Sequence, residues 1–130
     1  MIFSLGQQAL LRRTFTSEDM RAFAALSADH AAVPASVPGP LVGGLFSYLL
    51  GVRLPGPGTN YLKQSLDFLA PAPVEEELTA SVTVTRLRPD KHLVDLETIC
   101  ETASGIRICQ GRALVYVEDV EQLTMQPPGS

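Results

Sequence analysis

The chain has 130 residues and a mass of 14.0 kDa, the size of one domain. A folded protein of this mass exposes roughly 6,700 Å² against roughly 20,000 Å² unfolded, enough burial for one core and too little for two. The residues are 45 % hydrophobic and 18 % charged, which excludes disorder, and a net charge of −4 without a basic stripe argues against nucleic-acid binding.

Residues 1–13 alternate loosely and read as a first strand. They carry no basic stretch ahead of an apolar one, because Arg12 and Arg13 come afterwards, so no signal peptide is expected. No apolar run reaches membrane-spanning length. Two cysteines do not make a disulfide framework. The expectation is a soluble cytoplasmic protein with a single domain over residues 1–130.

Thr16-Ser17-Glu18-Asp19 begins a helix, with Thr16 or Ser17 as N-cap and the two acids in the first turn, where the helix dipole favours them. Phe23, Leu26 and Met20 form its apolar face, and it ends near residues 27–30. Pro34, Pro38 and Pro40 forbid a regular helix over 31–40.

Over 41–53, Leu41, Leu45, Tyr48, Leu49 and Val52 recur at helical spacing, and Gly43, Gly44, Ser47 and Gly51 fill the rest of the surface. A helix that is apolar or small all round is expected to be buried, with a sheet wrapped about it. Leu54-Pro55-Gly56-Pro57-Gly58 stops it.

Period two then takes over. Strands are predicted at 59–69, at 78–85 (Leu78, Ala80, Val82 and Val84 facing one way), at 93–101 and at 106–118. Arg88-Pro89-Asp90-Lys91 and Ser104-Gly105 are turns between them. The tail after Gln122 reads as frayed. One strand, two helices and four antiparallel strands make an α+β fold.

The N-terminus of the buried helix carries unpaired N–H groups and partial positive charge. Gly39 puts no side chain in the way, so its amide suits an oxygen on which negative charge builds during reaction, as in a thioester enolate. One such donor is typically worth about 3–4 kcal/mol in the transition state. The same Gly39-Pro40 junction also serves simply to begin a core helix.

Several segments together resemble the MaoC-like, (R)-specific enoyl-CoA hydratases. They are residues 25–29, the run from Gly39 to Gly51, and Leu54-Pro55-Gly56-Pro57-Gly58-Thr59-Asn60-Tyr61-Leu62-Lys63-Gln64, which is the most specific part. Leu78-Thr79-Ala80, the 88–91 turn and Gly111 add to them. The resemblance covers nearly the whole chain. It implies a hot-dog fold: a curved antiparallel sheet wrapped around one long central helix, normally a homodimer, with a heterodimer of hot-dog relatives as the variant. It implies an acyl thioester of coenzyme A or acyl carrier protein as substrate, no cofactor, and reversible syn hydration of a 2-enoyl thioester to the (R)-3-hydroxyacyl thioester.

In that family an aspartate and a histidine from one short segment hold and activate water. Asp29 takes the aspartate's place. Five residues later, where the histidine belongs, stands Pro34, and the connection from Asp29 to Gly39 is shorter than in the family. Gly39 matches the glycine whose N–H polarises the thioester carbonyl, and Ser47 matches a serine near the aspartate. His30 is the candidate substitute for the missing base. Leu41, Tyr61 and Gln64 are implied to line the substrate. Loss of a general acid–base partner typically costs 10²–10⁴-fold, roughly, so weakened hydration stays open. So do thioester hydrolysis, cyclisation by conjugate addition, and a degenerate subunit that binds acyl thioesters for a competent partner.

Cys100 and Cys109 face each other if Ser104-Gly105 is a two-residue turn, and two thiols are expected in a reducing compartment. Two cysteines and two distant histidines are too few for a zinc site. Arg53, Lys63, Arg86, Arg88 and Lys91 are the cations available to phosphates, and His92 reads as a solvent-facing strand start.

Overall fold

A computed structural model describes residues 3–26 and 32–117. Five strands form one antiparallel sheet: β1 Gln8–Thr14, β2 Thr59–Phe68, β3 Glu77–Arg88, β4 Leu93–Thr102 and β5 Arg107–Val117, in the order β1-β3-β4-β5-β2. Helix α1 is Ser17–Leu26. Helix α2 is Gly39–Tyr48, continued by one turn of π-helix over Leu49–Arg53. No helix among the described residues is long and apolar enough to cross a membrane.

Alternation makes the sheet two-faced. Leu78, Ala80, Val82 and Val84 of β3 and Val94, Leu96 and Cys100 of β4 are buried against Val42, Leu45, Phe46, Leu49 and Leu50 of the α2 segment. Each such aliphatic side chain contributes about 1.5–3 kcal/mol on burial. Between Val84 and Arg86 the β3–β4 register shifts, and the extra residue puts Leu87 on the buried side instead of Arg86. This is the hot-dog arrangement: one sheet packed around one long helix.

Thr16 caps α1, as expected. Its hydroxyl accepts the Asp19 N–H at 3.1 Å, and the Asp19 carboxylate accepts the Thr16 N–H at 2.9 Å, a reciprocal capping box. These bonds to Thr16 hold the Asp19 carboxyl below its ordinary pKa, with Arg13 adding to the effect. The buried residues of α1 are Met20 and Ala24; Phe23 is half-buried and Leu26 is 87 % exposed. Met20 and Phe23 thus lie on the packed face as expected, Ala24 joins them, and Leu26 at the end of the helix does not.

The second helix also departs from its expected form. It begins at Gly39 rather than residue 41, and its α-winding stops at Tyr48. The π turn has more residues per turn, so it rotates Val52 off the buried stripe, leaving it 54 % exposed. Gly44, Ser47 and Tyr48 are exposed too, so burial is not all round. The sheet covers one side of α2, and none of the described residues covers the other.

Cys100 does oppose Cys109, and both are buried free thiols. The expected two-residue turn is not what sets this register. The Thr102 N–H bonds the Ile106 carbonyl at 2.9 Å across a longer loop, and Glu101 pairs with Arg107. A bulge at Ile108 then restores the register. The 27–31 segment and the residues after Val117, including the expected frayed tail, lie outside the described residues.

Candidate active site

The first four N–H groups of a helix have no intrahelical partner. At α2 those positions are Pro38, Gly39, Pro40 and Leu41. The two prolines have no N–H to give. Leu41 donates to the Pro38 carbonyl at 3.0 Å, as Val42 does at 3.4 Å. No side chain caps the turn. The Gly39 amide is left as its one uncommitted donor among the described residues, at the positive end of the helix. Sequence order alone therefore concentrates the donor capacity of this terminus in a single group.

Strand β2 flanks that terminus. Its register on β5 pairs Phe68 with Cys109, Leu66 with Gly111 and Gln64 with Ala113, so these residues share the face that looks toward α2. Small residues of α2 meet large residues of β2. A β-carbon on Gly39 would lie 3.3 Å from the tip of the Phe68 ring, and one on Gly43 would lie 3.7 Å from Leu66. Farther along, the Tyr61 hydroxyl donates to the Ser47 carbonyl at 2.7 Å. That bond ties the end of α2 to β2 just before the π turn.

The expected site residues divide as follows. Gly39 is half-buried, with its amide uncommitted. Ser47 is exposed and lies eight residues on, about 12 Å farther along the helix, so one carbonyl cannot touch both within a chain. Tyr61, 45 % exposed, gives its hydroxyl to the backbone. Gln64 is exposed on β2 between Tyr61 and Leu66. Leu41 points elsewhere: two residues past Gly39 is about 200° round the helix. It lines an apolar groove of about 350 Å³ between β1 and α2, with Leu11, Phe15, Leu45 and Tyr48. Asp29 and His30 lie outside the described residues.

Of the remaining polar candidates, Arg88, Arg53 and His92 are engaged. Arg88 pairs with Asp95 at 2.7 Å. Arg53 reaches the Leu10 carbonyl at 3.2 Å and lies over the Tyr48 ring. His92 is half-buried rather than solvent-facing: it stacks on Tyr116, and its Nδ1 is 3.3 Å from the Val117 carbonyl. Burial pushes the Cys100 thiol up to about 11, with the neighbouring Cys109 adding to it, and raises that of Cys109 as well. These thiols are poor nucleophiles. No cluster of metal-ligating side chains occurs among the described residues. Phe68 was not among the expected site residues; its signal was its place in the period-two row that carries Leu66.

No protein-family model matches the chain. An (R)-specific enoyl-CoA hydratase of Rhodospirillum rubrum is 40 % identical over 127 positions, covering 86 % of this chain and 86 % of its own length. A 3-hydroxybutyryl-CoA dehydratase of Methylorubrum extorquens is 29 % identical over 141 positions, covering 96 % of this chain and 89 % of its own. Those 141 positions exceed the 130 residues present here, so that relative has internal residues with no counterpart in this chain. The solved (R)-hydratase from A. caviae superposes with a TM-score of 0.78 at 40 % identity, covering 88 % of this chain and 97 % of that one. The uncommitted Gly39 amide, the α2–β2 flank and these likenesses lead to one conclusion: the chain belongs to the (R)-specific enoyl-CoA hydratase family.

Proposed function

We propose that this chain is a lyase of the cytoplasm that interconverts 2-enoyl and (R)-3-hydroxyacyl thioesters of coenzyme A or acyl carrier protein. The observation that carries the reading is the single uncommitted amide at Gly39, in a chain 40 % identical to a hydratase of that specificity. In the forward direction Asp29 takes a proton from water, and the oxygen adds to C3 of the enoyl group. The electron pair moves to the thioester oxygen, which the Gly39 N–H holds as an enolate. The proton then returns to C2, so that one water is added in all. His30 assists the proton transfer, while Ser47, Leu41, Tyr61 and Gln64 orient the acyl thioester. No cofactor takes part.

The site is completed by a second copy of the chain. The β2 edge and the outer side of α2 expose Tyr48, Val52, Tyr61, Leu62 and Phe68, an apolar surface that a partner would cover.

The residues that relatives possess and this chain lacks fall, on this reading, in the short connection from Asp29 to Gly39. They also favour a second reading: a subunit that binds the thioester and leaves acid–base chemistry to a competent hot-dog partner.

The test is hydration of crotonyl-CoA by the purified chain, followed by loss of the enoyl absorbance and by the configuration of the product. The (R)-3-hydroxy product is expected, with Asp29→Asn slower by about 10²–10⁴-fold. Undiminished hydration by Asp29→Asn refutes the assigned role. No turnover by the chain alone, restored by a hot-dog partner, favours the second reading. Release of free thiol without a hydration product favours hydrolysis.

A further inference from the structure

We propose that Phe68 is a positioning residue of the hydration reaction: its ring packs on the α-carbon side of Gly39 and holds that residue, and with it the amide that meets the thioester carbonyl, in place. The inference rests on the hydratase reading above.

The ring is placed by its contact with Gly39 and by the strand beneath it. The ζ carbon lies 3.3 Å from where a β-carbon on Gly39 would stand, and the two ε carbons lie at 3.6 and 3.9 Å. The backbone beneath is fixed: Phe68 opposes the fully buried Cys109, and the next residue, Leu69, donates its N–H to the Ile108 carbonyl at 2.8 Å. Yet Phe68 is 49 % exposed. Part of its surface covers Gly39, and the rest belongs to the apolar surface of the β2 edge.

Two consequences follow from that placement. A β-carbon at position 39 would press on the ring tip, so a larger residue there requires the ring to move. The ring also backs the Gly39 backbone, and misplacement of the reacting group by about an ångström can lower a rate by about 10²-fold. A neutral ring that acts through Gly39 is expected to show its effect in the rate of the bound complex more than in affinity.

The experiment measures kcat and KM for crotonyl-CoA hydration, together with the thermal midpoint, in the parent chain and in Phe68→Ala, Phe68→Leu, Gly39→Ala and Gly39→Ala/Phe68→Ala. Phe68→Ala is expected to lower kcat about tenfold, within the range that misplacement produces, with KM within about twofold. Phe68→Leu is expected to restore most of the loss. Gly39→Ala is expected to be less harmful when Phe68 is already Ala, because the added methyl then has room. A Phe68→Ala enzyme as fast as an active parent overturns this inference and leaves the hydratase reading standing. So does a loss that follows the thermal midpoint and is equal in every Phe68 variant. An inactive parent overturns both.

Discussion

Replacing Gly111 by alanine tests how tightly the site's flanking strand is held. A β-carbon there would collide with the Ser65 carbonyl oxygen, and would lie 2.8 Å from the Ser65 carbonyl carbon and 3.1 Å from the Leu66 α-carbon. Unbonded carbons sit about 3.5–4.0 Å apart, so β2 must retreat by about 0.7 Å or more. All three atoms are backbone, so no rotamer change relieves the clash. Leu66 is paired directly with Gly111, and a ladder bond of about 2.9 Å lengthened by that amount is no longer a hydrogen bond. Losing two or three such bonds at about 1 kcal/mol each, with some van der Waals strain, gives a destabilisation of about 3–4 kcal/mol. Because β2 is an edge strand, the damage should centre there and spare the β1-β3-β4 pairing. Urea unfolding followed by far-ultraviolet circular dichroism measures the loss, and hydrogen exchange at Tyr61–Phe68 locates it. A Gly111→Ala chain within about 1 kcal/mol of the parent would refute the reasoning, because it would mean that β2 yields without breaking its ladder.

The other predictions concern α1 and the thiols. Thr16→Ala removes half of the capping box and should lower stability by about 1 kcal/mol in the same unfolding assay. The Asp19 carboxyl is held below its ordinary value by its bonds to Thr16, so its stabilising effect is present above pH 3.8 and is lost as the pH falls through the folded-state value. Asp19→Asn should therefore flatten the acid limb of a stability-against-pH curve. The Cys100 thiol behaves in the opposite sense: held neutral in the fold and pushed up to about 11, it stabilises below pH 9 and ceases to do so as the pH rises through the folded value. Iodoacetamide at pH 8 should label neither cysteine in the native protein and both in urea, read by mass spectrometry.

Much of this was legible in the residues because local and global signals agreed. The alternation of Leu78, Ala80, Val82 and Val84 gave a strand and its buried face, since a pleated backbone has no other way to sort those side chains. Thr16 with Asp19 gave the start of α1, because reciprocal capping is a short-range event. What was not legible depended on winding or on distant partners. A single π turn moved Val52 from a buried to an exposed position without any local marker. The Ile108 bulge kept Cys100 opposite Cys109 for a reason other than the turn that suggested it. Gly39 could be singled out from the sequence as a helix start, where the structure has it, since glycine between two prolines is a local pattern. Phe68 was not, because its meeting with Gly39 requires β2 to be registered on β5 first.

That dependence bears on the order in which the protein can assemble during synthesis. The strand that follows α2 in the chain does not pair with its sequence neighbour; it waits for the last strand and completes the sheet at the far edge. A nascent chain that has emerged through Thr102 can already join the first, third and fourth strands around the helix, yet has nothing to dock Thr59–Phe68 against. Long-range pairing of this kind is slow to form, and exposed apolar edges invite aggregation while it is pending. The α2–β2 flank of the candidate site therefore takes shape in a late step, once Arg107–Val117 has left the ribosome and closed the sheet.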